Sequence, residues 1–187
     1  MRLFIASTFP DDVLRALNER LTAVKPKLPP ASWGRPETQH LTFAFLGEQE
    51  ETVVGRITPT IERSLHAIAK FEATLHGCGF FPNRRHARVG WCGVEPEHCF
   101  TAIAAGVREG VRVGGVAFEE NEFRPHLTVM RMREHWPPLA IETFEKALRD
   151  YRSATFTVDR VTLFVSRLNP KGAVHTPLRE FALGLSA

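Results

Sequence analysis

The residues of this chain best suited to chemistry are two histidines, His40 and His126, each of which begins the tripeptide His-Leu-Thr. Successive side chains of a β-strand point to opposite faces, so each histidine shares a face with a threonine, Thr42 in the first copy and Thr128 in the second. Residues two apart on a strand lie roughly 7 Å apart along the backbone, so an imidazole and a hydroxyl can contact different atoms of one small group. Two such strands across a cleft would present both pairs to a single ligand.

This paired pattern suits acid–base catalysis of displacement at phosphorus. Histidine titrates near neutral pH, so one ring can take a proton from water while the other gives a proton to a leaving oxygen. The attacking and leaving oxygens lie in line on opposite sides of the phosphorus, which matches two histidines on opposite walls of a cleft. Thr42 and Thr128 would donate hydrogen bonds to the phosphoryl oxygens. From the pattern alone, the alternative is a pair of buried strands with hydrogen-bonded core histidines.

Other catalytic chemistries fit the sequence less well. A zinc site needs further ligands, and neither tripeptide has a third His, Cys or carboxylate at ligand spacing. The sequence contains no Gly-x-Ser-x-Gly elbow, no Walker A loop and no Gly-x-Gly-x-x-Gly fingerprint. We therefore predict neither a metal nor a cofactor.

Further candidates for substrate contact lie close to the two tripeptides. Arg124 and Arg131 flank the second copy, and a guanidinium beside a cleft can hold a phosphate through two parallel hydrogen bonds. Phe45 is a candidate for stacking a base. Strand alternation places it on the face opposite His40, where core packing is the alternative. The six other histidines, His175 among them, follow no repeated pattern and receive no assignment.

The composition is that of a globular protein in a reducing compartment. The 187 residues are 43% apolar, which is enough for one sizeable core or two small lobes. A net charge of +3 and a pI of about 9.0 suit an anionic partner such as RNA without requiring one. The three cysteines form no Cys-x-x-Cys pair, and the first strand is too short for a signal peptide. We expect a cytoplasmic monomer with no membrane-spanning segment.

Strand and helix patterns alternate in both halves of the chain, with one His-Leu-Thr strand in each half. Predicted strands cover residues 2–8, 39–46, 70–78, 87–94, 126–133, 154–168 and 174–184, and a turn covers 169–172. Predicted helices begin at Asp11 and cover 50–68, 97–111 and 138–151, with a kink or break at Pro59, and residues 31–39 and 79–86 are predicted loops.

This alternation predicts an α+β fold. We expect a bilobal, pseudo-two-fold duplicated unit in which two mostly antiparallel sheets face a central cleft and helices cover the outer faces. No linker rich in Gly or Ser separates the halves, so residues 1–187 are predicted to form a single domain of two lobes.

Several segments beyond the tripeptides extend the pattern over nearly the whole chain. They are Met1-Arg2-Leu3-Phe4-Ile5-Ala6, Pro36-Glu37-Thr38-Gln39-His40-Leu41-Thr42, Phe45-Leu46-Gly47, Gly77-Cys78-Gly79-Phe80-Phe81-Pro82, Phe123-Arg124-Pro125-His126-Leu127-Thr128 and Leu168-Asn169-Pro170-Lys171-Gly172. Together they resemble the 2H phosphoesterase superfamily, and more closely its bacterial and archaeal RNA 2′,3′-cyclic phosphodiesterases, also called 2′-5′ RNA ligases. At the late turn that family often has Gly-Pro and a Tyr, whereas this chain has Gly172-Ala173-Val174-His175.

The resemblance implies an activity and a set of roles. It implies metal-independent opening of a terminal 2′,3′-cyclic phosphate on RNA, on tRNA halves or short oligonucleotides, to leave a 2′-phosphate. His40 would protonate the departing 3′ oxygen, His126 would activate water, and Thr42 and Thr128 would hold the phosphate. Arg131 falls where a basic residue often follows the second motif. The family also joins tRNA halves reversibly through a 2′-5′ linkage, which is the same displacement with a 5′ hydroxyl in place of water.

Two alternatives to this reading remain open from the sequence. One is a non-catalytic module that binds a nucleotide or an RNA end. The other is a phosphodiesterase that acts on small cyclic nucleotides or an ADP-ribose cyclic phosphate. The presence of both histidines and both threonines favours an enzyme over a binding module.

Overall fold

The computed structural model describes residues 1–170 and 172–184, and within them the chain forms nine strands and four α-helices. The strands are β1 (Arg2–Ser7), β2 (Ala31–Trp33), β3 (Leu41–Glu48), β4 (Phe71–Phe81), β5 (Val89–Glu95), β6 (His126–Met132), β7 (Phe156–Val158), β8 (Arg160–Asn169) and β9 (Gly172–Ala182). The helices are α1 (Asp11–Val24), α2 (Thr52–Leu65), α3 (Glu97–Val113) and α4 (Pro138–Leu148), with 3₁₀ turns at Lys25–Lys27 and Pro36–Thr38.

Two sheets form the centre of the fold. Four strands pair in the order β3-β1-β8-β9 and five in the order β2-β6-β5-β4-β7, and the pairs between these strands are antiparallel. The first His-Leu-Thr strand, β3, belongs to the first sheet and the second, β6, to the other. The predicted α+β fold with two antiparallel sheets, each holding one motif strand, is confirmed.

Amphipathic helices cover the sheets in two pairs. Helix α2 packs against α3, and α3 contacts β3, while α1 packs against α4, and α4 contacts β4. In α1 the apolar residues recur at helical spacing and are buried along one stripe, comprising Val13, Leu14, Leu17, Leu21 and Val24. Burial of one apolar stripe per helix is the main source of stability for helices of this length. The predicted helices are thus confirmed within a few residues at their ends.

Each His-Leu-Thr tripeptide is followed by a β-bulge. In the first, Ala6 lies opposite Thr42 and Ile5 lies opposite Ala44, so Phe43 is the extra residue. A bulge places two residues of one strand against one of its partner and thereby shifts the alternation of faces. Phe43 and Ala44 are accordingly both buried although they are adjacent.

The second strand repeats the bulge at the equivalent position. Trp91 lies opposite Thr128 and Gly90 opposite Met130, which leaves Val129 as the extra residue. Val129 and Met130 are again adjacent and both buried. The two halves of the chain therefore share this irregularity as well as the tripeptide.

The bulge corrects the prediction that Phe45 lies on the face opposite His40. Phe45 is paired with Phe4 and shares the Thr42 face of its sheet, with 41% of its surface exposed. Its equivalent in the other half is Arg131, which the second bulge turns to the Thr128 face. Simple alternation fails at both positions because one extra residue reverses every side chain that follows.

Four predicted features of the elements differ from the structure. The predicted loop 31–39 contains β2 and a 3₁₀ turn, and β4 continues through Phe81. Helix α2 is not broken at Pro59, because the carbonyl that loses its donor belongs to Gly55 and both residues face solvent, where water can replace the bond. The predicted strand 154–168 divides at Asp159, where the chain leaves the second sheet for the first. Lys171, in the predicted turn, lies outside the described residues.

Candidate active site

A cavity of about 280 Å³ contains both motifs. The residues that line it are Gly34, Thr38, Gln39, His40, Thr42, His126, Thr128 and Arg131. The structure therefore brings together the two histidines and two threonines that the sequence placed on separate strands, and adds Arg131 to them. A larger groove of about 730 Å³ lies along α1, but none of its lining residues is a histidine.

Both motif imidazoles are anchored in the same way. The Nδ1 atom of His40 donates to the Thr38 carbonyl at 2.8 Å, and that of His126 donates to the Arg124 carbonyl at 2.6 Å. A carbonyl can only accept, so each ring carries hydrogen on Nδ1 when neutral. The second nitrogen, Nε2, is then the atom of each ring that can exchange a proton with a ligand. In both cases the accepting carbonyl lies two residues before the histidine. The two halves of the chain therefore share the same histidine tautomer as well as the same tripeptide.

Burial and neighbouring charges shift the proton affinity of the two rings unequally. Burial, with added contributions from the His175 and His126 rings, lowers the pKa of His40 to about 4. Burial also lowers the pKa of His126, with Arg131 as the nearby charge that lowers it further. In both rings the hydrogen bond to the backbone carbonyl acts in the opposite direction. Without an anion in the cleft, His40 is neutral at pH 7.

Each motif imidazole packs against aromatic side chains from other strands of its own sheet. The His126 ring lies 4.7 Å from the Phe81 ring in an edge contact and 6.2 Å from that of Trp91. The His40 ring lies 4.7 Å from the Phe4 ring. These contacts fix the ring planes, because a buried aromatic pair prefers defined tilted or edge geometries.

Of the three residues predicted to contact substrate, Arg131, Arg124 and Phe45, only Arg131 lines the cavity. Arg124 is outside its lining; the guanidinium pairs with the carboxylate of Glu122 at 3.1 Å, and it is the backbone carbonyl that reaches His126. Phe45 is also outside the lining, and the guanidinium of Arg2 lies 5.0 Å above its ring. This is a cation–π arrangement at an exposed site.

Several positioning residues carry no signal in the sequence. Gln39 lines the cavity but is 5% exposed, and its side chain accepts a hydrogen bond from Asn18 on α1 at 2.8 Å. The backbone nitrogen of Gly34 donates to the carbonyl of Val129, the bulge residue of β6, at 2.8 Å. Such contacts join residues far apart in the chain. The one available clue was that Gln39 directly precedes His40.

The described residues contain neither a cluster of metal ligands nor a helix suited to a membrane. No group of three or more His, Cys, Asp and Glu side chains in residues 1–170 and 172–184 is arranged to hold a metal ion. Within the same residues, no helix combines the length and the apolarity needed to cross a membrane.

The fold and the paired His-Thr cleft define a class of protein, which comparison with known proteins identifies. The family model of the 2′-5′ RNA ligase superfamily matches residues 9–170. The chain belongs to this superfamily.

Individual relatives match along nearly their whole length. A protein of Thermus thermophilus named RNA 2′,3′-cyclic phosphodiesterase is 34% identical over 191 residues, covering 98% of this chain and 90% of the relative. A protein of the same name from Thermotoga maritima is 30% identical over 182 residues, covering 96% and 94%. The crystal structure of TT0787 from Thermus thermophilus superimposes with a TM-score of 0.77 at 31% identity over 98% of both chains.

Proposed function

We propose that this protein hydrolyses the terminal 2′,3′-cyclic phosphate of RNA to a 2′-phosphomonoester by metal-independent acid–base catalysis with two histidines. The observation that carries the proposal is the cavity in which His40 and His126, from different sheets, each keep Nε2 free for a ligand. The names of the full-length relatives support the same reaction.

The proposed step is an in-line displacement with balanced proton transfers. His126, neutral, takes a proton from water at Nε2 as the water oxygen bonds to phosphorus. The bond from phosphorus to the 3′ oxygen breaks, and His40, protonated, gives that oxygen its Nε2 proton. The hydroxyls of Thr42 and Thr128 donate to the non-bridging oxygens, and Arg131 adds a positive charge on the same wall. A 5′ hydroxyl that attacks phosphorus in place of water, by the same displacement with the 3′ oxygen leaving, would give the 2′-5′ ligation, and the reverse of that step would cleave the linkage.

The low pKa of His40 has a consequence for this assignment. A histidine with a pKa of about 4 carries little proton at neutral pH, so His40 needs the bound phosphate anion to raise its pKa before it can act as the acid. The negative charge of the bound substrate would therefore favour the protonated form of His40, the proposed acid. The opposite assignment, with His40 as base and His126 as acid, predicts a different response to a substrate with a better leaving group.

The first test is turnover of a short RNA that ends in a 2′,3′-cyclic phosphate, with EDTA present. We expect a 2′-phosphate product by NMR and a fall in kcat of at least about 100-fold in both His40→Ala and His126→Ala. The matched control is His66→Ala, because His66 is an exposed histidine at the end of α2. Activity abolished by the chelator would contradict the metal-independent mechanism. Full binding of the RNA end without turnover in the wild type would favour the binding module.

The acid and base roles can be assigned with a substrate whose 3′ oxygen is replaced by sulfur. A thiolate leaves without protonation, so the variant that lacks the acid regains activity and the variant that lacks the base does not. We expect rescue of His40→Ala and none of His126→Ala. Rescue of His126→Ala instead would reverse the roles while leaving the two-histidine reaction intact.

The choice of an RNA end over a small cyclic nucleotide rests on the surroundings of the cavity. A cavity of about 280 Å³ holds the phosphate and part of a ribose, so the base and any preceding nucleotides must lie outside it. Phe45, with Arg2 above it, offers an exposed ring on the same sheet face for stacking a base. Arg124 would first have to leave Glu122 to contact a phosphate. Comparing kcat/KM for a cyclic mononucleotide with that for an oligonucleotide separates the two substrates.

We also propose that residues 1–187 form one domain and act as a cytoplasmic monomer. One cluster of buried side chains includes residues of both lobes, such as Leu3 and Leu127. The residues of the cavity all belong to one chain, so the proposed reaction needs no second copy. The three cysteines are free, which agrees with a reducing compartment.

A further inference from the structure

We propose that His175 is a positioning residue for His40, which holds the His40 ring edge-on and whose own protonation opposes that of His40. The inference rests on the proposed catalytic role of His40. His175 lies on β9, at the far edge of the first sheet from β3, and sequence reasoning gave it no role. Its ring nevertheless lies 5.2 Å from that of His40, with an angle of 89° between the planes.

The sheet brings His175 to this position through one row of strand partners. Arg2 on β1 lies opposite Ser166 on β8, and Ser166 lies opposite His175 on β9. Partners in such a row share a face of the sheet, here the face that carries Phe4. The Phe4 ring lies 4.9 Å from His175 and 4.7 Å from His40, so the three rings form one contact group. Phe4 is itself 3% exposed, which leaves that ring little room to move.

The two motif histidines differ in this respect. Among the described residues, the aromatic rings in contact with His126 are those of Phe81 and Trp91, neither of which accepts a proton. The rings that contact His40 include a second imidazole. The pseudo-two-fold symmetry of the cleft is therefore broken beside His40, and the residue that breaks it can change charge near neutral pH.

The surroundings of His175 disfavour its protonated form. The Nδ1 atom is buried and has no hydrogen-bond partner among the described residues, whereas an imidazolium must donate from both nitrogens. Charged groups around His175 include the guanidinium of Arg2, that of Arg35, which donates to the Ala173 carbonyl at 3.4 Å, and His40 itself. Arg167 follows Ser166 on β8, Arg179 and Glu180 lie further along β9, and Glu48 lies on the far side of Arg2. Burial and the Arg2 charge lower the pKa of His175.

Two consequences follow for His40. A neutral His175 supports the ring without opposing the proton that His40 must carry in the reaction. A protonated His175 places a like charge beside His40, and like charges in contact make each other harder to protonate. The two imidazoles should then lose their protons as a coupled pair rather than as independent groups.

The test compares His175→Phe, which keeps a ring and removes the charge, with His175→Ala, which removes both. In His175→Phe we expect the His40 pKa, followed by NMR of the ring Cε1–H, to rise, and the limb of the pH–rate profile that follows His40 to move with it. In His175→Ala we expect the same direction of shift and a fall in kcat of about 10-fold, with little change in KM, because the ring of His40 loses its lateral support. His66→Phe is the control and should leave both readouts unchanged.

The outcomes separate this inference from the proposed function. If neither His175 variant moves the His40 titration, the inference is wrong, whatever His40→Ala does to activity. If the titration moves but His40→Ala retains full activity, the coupling is correct and the catalytic role of His40 is wrong. A loss of kcat in His175→Phe as large as that in His175→Ala, without any shift in the titration, would indicate damage to the fold and would also overturn the inference. Circular dichroism of each variant checks that the fold is intact.

Discussion

At the scale of single residues, the two motif histidines are held by one repeated device. The Nδ1–H of each ring donates a hydrogen bond to the carbonyl two residues earlier in the chain. Each ring also packs against an aromatic side chain of its own sheet. The hydrogen bond fixes the tautomer and the packing fixes the plane of the ring, and together they set the position of Nε2. The tripeptides predicted that both histidines and both threonines would lie in one cleft. The tautomer was not predicted, because it depends on where the preceding carbonyl points.

The depressed pKa of His40 predicts a dependence of stability on pH. The pKa is about 4 in the folded protein and 6.5 for an ordinary histidine, so between these values the unfolded chain binds a proton that the folded protein does not. Unfolding is therefore favoured progressively as the pH falls from 6.5 towards 4, and the contribution of His40 to stability is complete above 6.5. When the pH is lowered from about 7 to about 4.5, the free energy of unfolding of the wild type should fall. In His40→Gln, which lacks this titrating group, we expect that fall to be smaller by roughly 1–3 kcal/mol.

The measurement is urea unfolding at both pH values. His66→Gln, which removes an exposed imidazole, should behave like the wild type and corrects for the carboxylates that also titrate in this range. Parallel losses in His40→Gln and the wild type would show that the His40 ring titrates normally and would contradict its burial.

At the scale of elements, the bulges decide which side chains reach the cleft. Without them, alternation would turn Arg131 and Phe45 away from the threonine of their own strand. The two adjacent apolar residues that follow each threonine, Phe43-Ala44 and Val129-Met130, are the trace of the bulge in the sequence. That trace is visible in hindsight, but two consecutive apolar residues are equally common in a regular buried strand.

Strand β4 shows a second local device, a glycine that makes room for a ring. A Cβ atom at Gly79 would collide with the indole of Trp91, which lies across the strand pair and beside His126. We expect Gly79→Ala to lower the free energy of unfolding by about 1–3 kcal/mol and to reduce kcat, because the displaced indole no longer supports the His126 ring. Chemical unfolding and steady-state kinetics measure the two effects.

The matched control for Gly79 is Gly55→Ala in α2. No atom lies within 4 Å of a Cβ at that position, so alanine there should be neutral or stabilising by up to about 1 kcal/mol. A Gly79→Ala protein as stable as the wild type would mean that Trp91 does not lie across Gly79.

At the scale of the whole molecule, Arg108 links the first motif strand to the segment that leads into the second. From α3 it donates to the carbonyl of Phe43, the bulge residue of β3, at 3.1 Å, and to the carbonyl of Asn121 at 2.8 Å. Its guanidinium lies 5.4 Å from the ring of Phe123, in the segment that leads into β6. One side chain thus fixes the approach to His126 relative to the strand that follows His40.

Replacing Arg108 should therefore affect both stability and catalysis. In Arg108→Ala two carbonyls lose their partner, so we expect a loss of about 1–3 kcal/mol in the free energy of unfolding and a fall in kcat of about 10-fold. Arg112→Ala, one turn further along α3, removes exposed ion pairs with Glu109 and Glu120 and should cost less than about 1 kcal/mol with normal kcat. Equal effects of the two substitutions would contradict a role for Arg108 in joining the lobes.

The sequence by itself determined the reactive groups and the kind of elements that carry them. Side-chain chemistry and strand or helix periodicity are local properties, so the two His-Thr pairs, the α+β alternation and the buried stripe of α1 could be predicted from neighbouring residues alone. Local signals also misplaced elements where a distant partner decided the outcome, as at β2, which exists because β6 lies beside it, and at Asp159, where one apolar run changes sheet.

The tertiary structure alone decided what surrounds each reactive group. Phe4 and His175 contact His40 from two other strands of the first sheet, and no spacing in the sequence indicates those contacts. The proton affinity of His40 follows from them, because the cost of burying a charge and the effect of a neighbouring charge depend on distances in space. Two identical tripeptides therefore give two histidines with different surroundings.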